Sequence, residues 1–121
     1  MSKVAYQARF LGHAYLERER NTDLALGMYE DGALSAPSGG EVSIFNASGV
    51  AVVNGASVVV SGSRATYALT AATVSAESYG SGWRVEWSLS MPDGEAHGLR
   101  QNASLVRFLL YPVITDADLY R

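Results

Sequence analysis

The chain contains no cysteine. That absence excludes a disulfide framework, a thiol nucleophile and every thiolate metal site. It also argues against a small secreted domain of the eukaryotic kind, which bridges usually staple. Histidine is almost as scarce, with only His13 and His97 present. Zinc and iron centres need three or four soft or nitrogen ligands, which two isolated histidines do not supply. Charge is thin as well: Asp, Glu, Lys and Arg make up 17% of the sequence, against about 25% in an average soluble domain. The balance is a net charge of −3, with no basic stripe, so nucleic acid is not an expected partner. Neither a membrane span nor a signal peptide follows Met1-Ser2-Lys3-Val4. Synthesis in the cytoplasm, with no membrane partner, is the expectation.

What remains is rich in Ala, Ser, Gly and Val, and its dominant pattern has period two. In Trp83–Met91, Trp83, Val85, Trp87, Leu89 and Met91 share one face, while Arg84, Glu86, Ser88 and Ser90 share the other. Successive side chains of a strand point to opposite faces, so this stretch is a half-buried antiparallel strand. That reading puts both tryptophans in the core rather than on a sugar-binding platform. The same alternation runs through Val4, Tyr6, Ala8 and Phe10, through Val42 and Ile44, and through Ala65, Tyr67 and Leu69. Leu105 to Tyr111 is apolar on both faces apart from Arg107, as in a central strand or one covered by a partner.

Turn chemistry divides these strands. Asn54-Gly55 sits between two valine-rich runs and reads as a type I′ hairpin turn, because both residues tolerate positive φ. Asp31-Gly32 reads as a similar turn, and Ser48-Gly49, Gly62-Ser63 and Pro92-Asp93-Gly94 punctuate further. Turns about every 8–12 residues are the spacing of a sandwich or barrel. Leu69–Ser78 has room for one helical turn or a strand crossing between sheets. Thr115-Asp116-Ala117-Asp118-Leu119 has the chemistry of a helix start, with Thr115 able to cap and two acids near the positive end of the dipole. The chain thus divides into a β-sandwich over 1–111 and a C-terminal tail, or the start of a helix, over 112–121. A length of 121 residues fits one such domain.

No motif of catalysis emerges. Nucleophilic chemistry needs an activated hydroxyl and a base, and neither histidine has a carboxylate at a characteristic spacing. Asp116-Ala117-Asp118 is too sparse for calcium. The Pro37-Ser38-Gly39-Gly40 loop precedes a strand, where a phosphate cradle would open a helix. Asn46-Ala47-Ser48 and Asn102-Ala103-Ser104 match the glycosylation tripeptide without a secretory context. Glu17-Arg18-Glu19-Arg20 alternates in sign and reads as a solvated loop or strand end. No catalytic residue, metal ligand or cofactor is therefore expected.

Two resemblances extend this reading. Pro37-Ser38-Gly39-Gly40-Glu41-Val42-Ser43-Ile44, followed by Ala47-Ser48-Gly49-Val50-Ala51-Val52, resembles the early strands of immunoglobulin-like sandwiches. Gly82-Trp83-Arg84-Val85-Glu86-Trp87-Ser88-Leu89-Ser90-Met91-Pro92-Asp93-Gly94 resembles a segment of small virion proteins of tailed bacteriophages and prophages. So does Tyr111-Pro112-Val113-Ile114-Thr115-Asp116-Ala117-Asp118-Leu119-Tyr120. The resemblance implies an all-β, Ig-like antiparallel sandwich acting as a virion structural protein, most of all at the head–tail connector. It implies multiple copies, portal, connector or major capsid proteins as partners, and a virion location after synthesis in a bacterial host. Contact would run through sheet edges and the tail, with Pro112, Val113, Ile114, Leu119 and Tyr120 as partner-binding residues. Two other roles fit the same fold: a capsid decoration or cement protein, and a carbohydrate-binding or adhesin module using Tyr15, Tyr29, Tyr79 and Tyr120.

Overall fold

The computed structural model of the chain describes residues 6–9, 12–30 and 33–107. Its strands are β1 (Tyr6–Arg9), β2 (Ala14–Glu17), β3 (Thr22–Glu30), β4 (Ala33–Leu34), β5 (Gly39–Phe45), β6 (Ala51–Ser57), β7 (Val59–Ser61), β8 (Arg64–Leu69), β9 (Gly80–Ser90) and β10 (Ala96–Val106). One helical turn, α1 (Ala71–Val74), lies between β8 and β9. The first sheet has the order β1-β3-β8-β7, with β4 paired to β3 beyond the end of β8. The second has the order β2-β10-β9-β5-β6.

The alternation of Trp83–Met91 is the backbone of the core. All five residues of its apolar face are buried, and Trp87 is 1% exposed. They meet Leu24, Leu26 and Met28 of β3, Ala65 and Leu69 of β8, and Val42 and Ile44 of β5 in one cluster between the sheets. Alternating faces that close on each other in this way define a sandwich. The Trp87 indole N–H is buried there and finds no acceptor among the described residues.

Several turns fall where the sequence places them. Asn46 Oδ1 accepts from the N–H groups of Ser48 and Val50, both at 3.0 Å, and so shapes the β5–β6 hairpin around Ser48-Gly49. Gly62-Ser63 joins the paired ends Ser61 and Arg64 of β7 and β8. The Pro92-Asp93-Gly94 turn is closed by Gly94 N–H to Met91 O at 2.9 Å and by Met91 N–H to Glu95 O at 3.0 Å. Asp31 and Gly32 lie outside the described residues, but Glu30 and Ala33 on either side pair as a hairpin requires.

Asn54-Gly55 is a correction. It turns no hairpin; it lies inside β6. Two steps of β5, from Val42 to Ile44, face three steps of β6, from Ala56 to Val53, so β6 holds one extra residue. Gly55 adopts a φ of 67°, and its N–H donates to Ser43 Oγ at 2.9 Å. Positive φ serves a β-bulge as well as a I′ turn, and local sequence does not separate the two. The valine run continues instead through Val58 into β7, crossing from the second sheet to the first.

Two further expectations change in detail. β10 starts at Ala96 and ends at Val106, so Leu105 and Val106 of the apolar run are its last residues, and Phe108 to Tyr111 lie outside the described residues. β10 is central, flanked by β9 and β2. Its pairing with β2 is parallel, the single parallel pair among the described strands. The chain reaches that pairing because β2 leads across to β3 in the opposite sheet rather than turning back beside itself.

Candidate functional site

His13 lies just before β2, and its Nε2 stands 2.7 Å from Ser104 Oγ on β10. Gln101 Nε2 donates to Gly12 O at 2.7 Å and ties down the same segment. Among the described residues no carboxylate bonds the ring of His13. Ser104 is buried, so its hydroxyl is not presented to a substrate. The pair fastens the entry of β2 to the strand beside it, ninety-one residues away in sequence.

His97 does have a carboxylate partner, contrary to the reading from spacing. Its Nε2 is 2.9 Å from Asp93 Oδ2, at a separation of four residues across the β9–β10 turn. The Glu95 N–H donates to Asp93 Oδ1 at 3.0 Å. That bond, with the His97 side chain adding to it against some desolvation, holds the Asp93 carboxyl below its ordinary value. The His97 ring also meets the Tyr6 ring edge-on, at 4.8 Å between centroids. Desolvation, and then the Asp93 charge, push the Tyr6 phenol up. The arrangement joins β10 of the second sheet to β1 of the first. Among the described residues no three His, Asp or Glu side chains gather as metal ligands would.

The Glu17–Arg20 cluster is less loose than its sequence implies. Glu17 pairs with Arg20, and Arg18 with Glu19 at 3.6 Å. The Arg18 guanidinium also lies 4.2 Å from the Tyr79 ring centroid and donates to Glu77 O. The Tyr79 hydroxyl donates to Glu19, which together with desolvation raises the phenol. Tyr79 is thus engaged at one end of the sandwich rather than displayed. Nothing in the local sequence links residues sixty apart.

Each sheet carries a groove on its outward face. Across the second sheet Glu41, Ser43, Glu86, Ser88, Gly98 and Arg100 line a shallow groove of about 430 Å³. Across the first, Arg9, Ala25, Gly27, Tyr29, Leu34 and Arg64 line one of about 490 Å³. Both are open, with floors of small residues. Trp83 and Trp87 are 3% and 1% exposed and offer no platform for a sugar ring.

The exposed large apolar residues lie on or beside outer strands of both sheets. Tyr15, Leu34, Val50 and Val59 are 54%, 68%, 59% and 66% exposed. Tyr15 is on β2, Leu34 on β4 and Val59 on β7, and Val50 immediately precedes β6. Among the described strands, each of these has no neighbour on one side of its sheet. Open edges are normally guarded by charge, above all lysine. Here β4, β6 and β7 carry no charged residue, β2 carries only Glu17, and β1 only Arg9.

The partner-binding residues expected from the sequence, Pro112, Val113, Ile114, Leu119 and Tyr120, lie outside the described residues, as does the Thr115–Leu119 helix start. Contact through sheet edges was expected, but not which strands form them, because no local pattern tells an edge strand from a central one.

No family model matches the chain, and no curated protein does. Among solved structures it is similar to CopC from Methylosinus trichosporium OB3b, with a TM-score of 0.56 and 16% identity. That likeness covers 89% of this chain and 97% of CopC. At this identity it bears on architecture alone, and it agrees with the two sheets: the chain folds as an Ig-like β-sandwich.

Proposed function

We propose that the chain is a non-catalytic structural protein of a tailed-bacteriophage particle, placed at the head–tail connector. The observation that carries the assembly part is the set of charge-poor sheet edges bearing Tyr15, Leu34, Val50 and Val59. Added strands bind such edges through main-chain hydrogen bonds, while flanking apolar side chains give area and register. A sequence with only 17% charged residues also suits a subunit that spends its life covered by neighbours. The connector placement rests on the resemblance of Gly82–Gly94 and Tyr111–Tyr120 to small virion proteins. In this reading the tail from Pro112 adds a second contact, through Pro112, Val113, Ile114, Leu119 and Tyr120, to portal, connector or capsid neighbours.

Cryo-electron microscopy of purified particles tests the placement. The expected result is ring density of 12-fold or 6-fold symmetry at the neck that fits the sandwich. Density on the capsid faces, in hundreds of copies, would identify a decoration protein and overturn the connector assignment. Absence of the chain from particles would overturn the virion reading as a whole.

A further inference from the structure

The outward face of the first sheet presents one row of unusual composition. In the strand register Arg9 faces Gly27, and Gly27 faces Arg64. Three adjacent strands therefore offer a guanidinium, a gap and a guanidinium. Strands lie about 4.8 Å apart, so the two arginine Cα atoms stand about 10 Å from each other. Both arginines are exposed, and Tyr29 packs beside Arg9 at 5.2 Å from ring centroid to guanidinium carbon. Among the described residues neither is ion-paired. Asp23, the next carboxylate on that face of β3, is four residues from Gly27, about 13 Å along the strand.

The gap is not a demand of the fold. A Cβ on Gly27 would meet only Tyr29 Cε1, at an ordinary 3.8 Å, and its backbone is not in the left-handed region. Gly27 with Ala25 leaves an open floor, walled by Tyr29 and Leu34, within the groove of about 490 Å³. Two like charges across an empty floor repel each other until an anion lies between them.

The chain's own sequence contains a matching segment. Asp116 and Asp118 are its paired carboxylates, with Ile114, Leu119 and Tyr120 around them. Residues two apart in an extended segment share a face, about 7 Å from each other. That spacing suits two guanidiniums on flexible stems, and the flanking apolar residues suit Leu34 and Tyr29. We infer that the Arg9–Gly27–Arg64 row is a docking groove for Asp116 and Asp118 of a second copy of this chain. The inference rests on the assembly reading above.

The occupant proposed is a second copy rather than the same one, because the described chain ends its last strand away from the groove. The Val106 carbonyl, at the end of β10, accepts from the Arg18 N–H just beyond β2. β3 begins at that same end, where the Glu17 N–H donates to Thr22 Oγ1. Gly27 is five residues farther along β3, about 17 Å away, on the outer side of the opposite sheet. The end of β10 and the groove thus lie apart, on different sheets of one sandwich, and a second copy set end-on brings them together in a head-to-tail contact. Such heterologous contacts close into a ring when the rotation between copies allows it.

Charge reversal in the full-length chain tests this, read by analytical ultracentrifugation at low and high salt. The wild type is expected to self-associate, more weakly as salt rises. Arg9→Glu with Arg64→Glu is expected to weaken association by about tenfold or more, and Asp116→Lys with Asp118→Lys likewise. Mixing the two reversed chains in equal amounts restores both charge pairings, so association returns. Gly27→Leu fills the floor without touching a charge and is expected to weaken association too. Thermal melts establish that each variant is folded. A wild type that is monomeric throughout, reversals that leave association unchanged, or a mixture that stays monomeric would each overturn the groove assignment. If particles contain the chain but the reversals assemble normally, the groove fails and the virion reading stands. If particles lack it but the mixture associates, the virion reading fails and the groove stands.

Discussion

At the residue scale, the most informative group is Asp93. Its carboxyl accepts from the Glu95 N–H and pairs with His97, and both favour the ionised form. Its folded value lies below its unfolded one, so the stability it contributes is present above about pH 4. That stability is lost as pH falls through the folded value. Asp93→Asn is expected to remove this part of the acid sensitivity. Melting temperature followed from pH 7 to pH 2 should show a shallower acid limb than the wild type. An unchanged limb would mean that other carboxylates carry the acid response. The pair was invisible to spacing rules because its four-residue separation spans a turn, where no helix sets the geometry.

At the element scale, two neighbouring glycines make opposite predictions. Gly40 lies on β5 with a φ of 156°, and a Cβ there would stand 2.4 Å from Ser88 O and 2.7 Å from Leu89 Cδ2. The backbone of β9 has to move to admit it. Gly39 has nothing within 4 Å of the same position. Gly40→Ala is expected to destabilise by about 2–4 kcal/mol through overpacking and strain, and Gly39→Ala to stay within about 0.5 kcal/mol. Urea denaturation of the two variants side by side checks the contrast. The sequence marks Pro37–Gly40 as a break but cannot say which glycine is crowded, because the crowding comes from a strand about fifty residues away.

The same limit explains what was legible in this fold. Strand faces with clean alternation, such as Trp83–Met91 and Val42–Ile44, read correctly because burial on one side imposes period two on the sequence. Gly62-Ser63 and Pro92–Gly94 read correctly because their turns close between adjacent strands. Asn54-Gly55 did not, since a bulge and a hairpin make the same request of φ. Of the candidate site, only the low overall charge was legible. The edges that bear it, and the Arg9–Gly27–Arg64 row, arise from strand order and register, which no single stretch of sequence contains.

At the scale of the whole molecule, the proposed function gives the sandwich and the segment after Pro112 separable roles. The described core lies within residues 14–105, so deleting Pro112 to Arg121 is expected to leave a cooperatively folded domain that no longer assembles. Loss of cooperative thermal unfolding in that truncation would show that the tail belongs to the core. The central claim is that sheet edges, not a reaction centre, are the working surfaces. Hydrogen exchange, read by mass spectrometry on the free chain and on the chain within particles, tests it most directly. The account predicts that amides of β2, β4 and β7 exchange quickly in the free chain and become protected on assembly, while central β9 is slow in both. Edges that exchange equally fast in both states would contradict it.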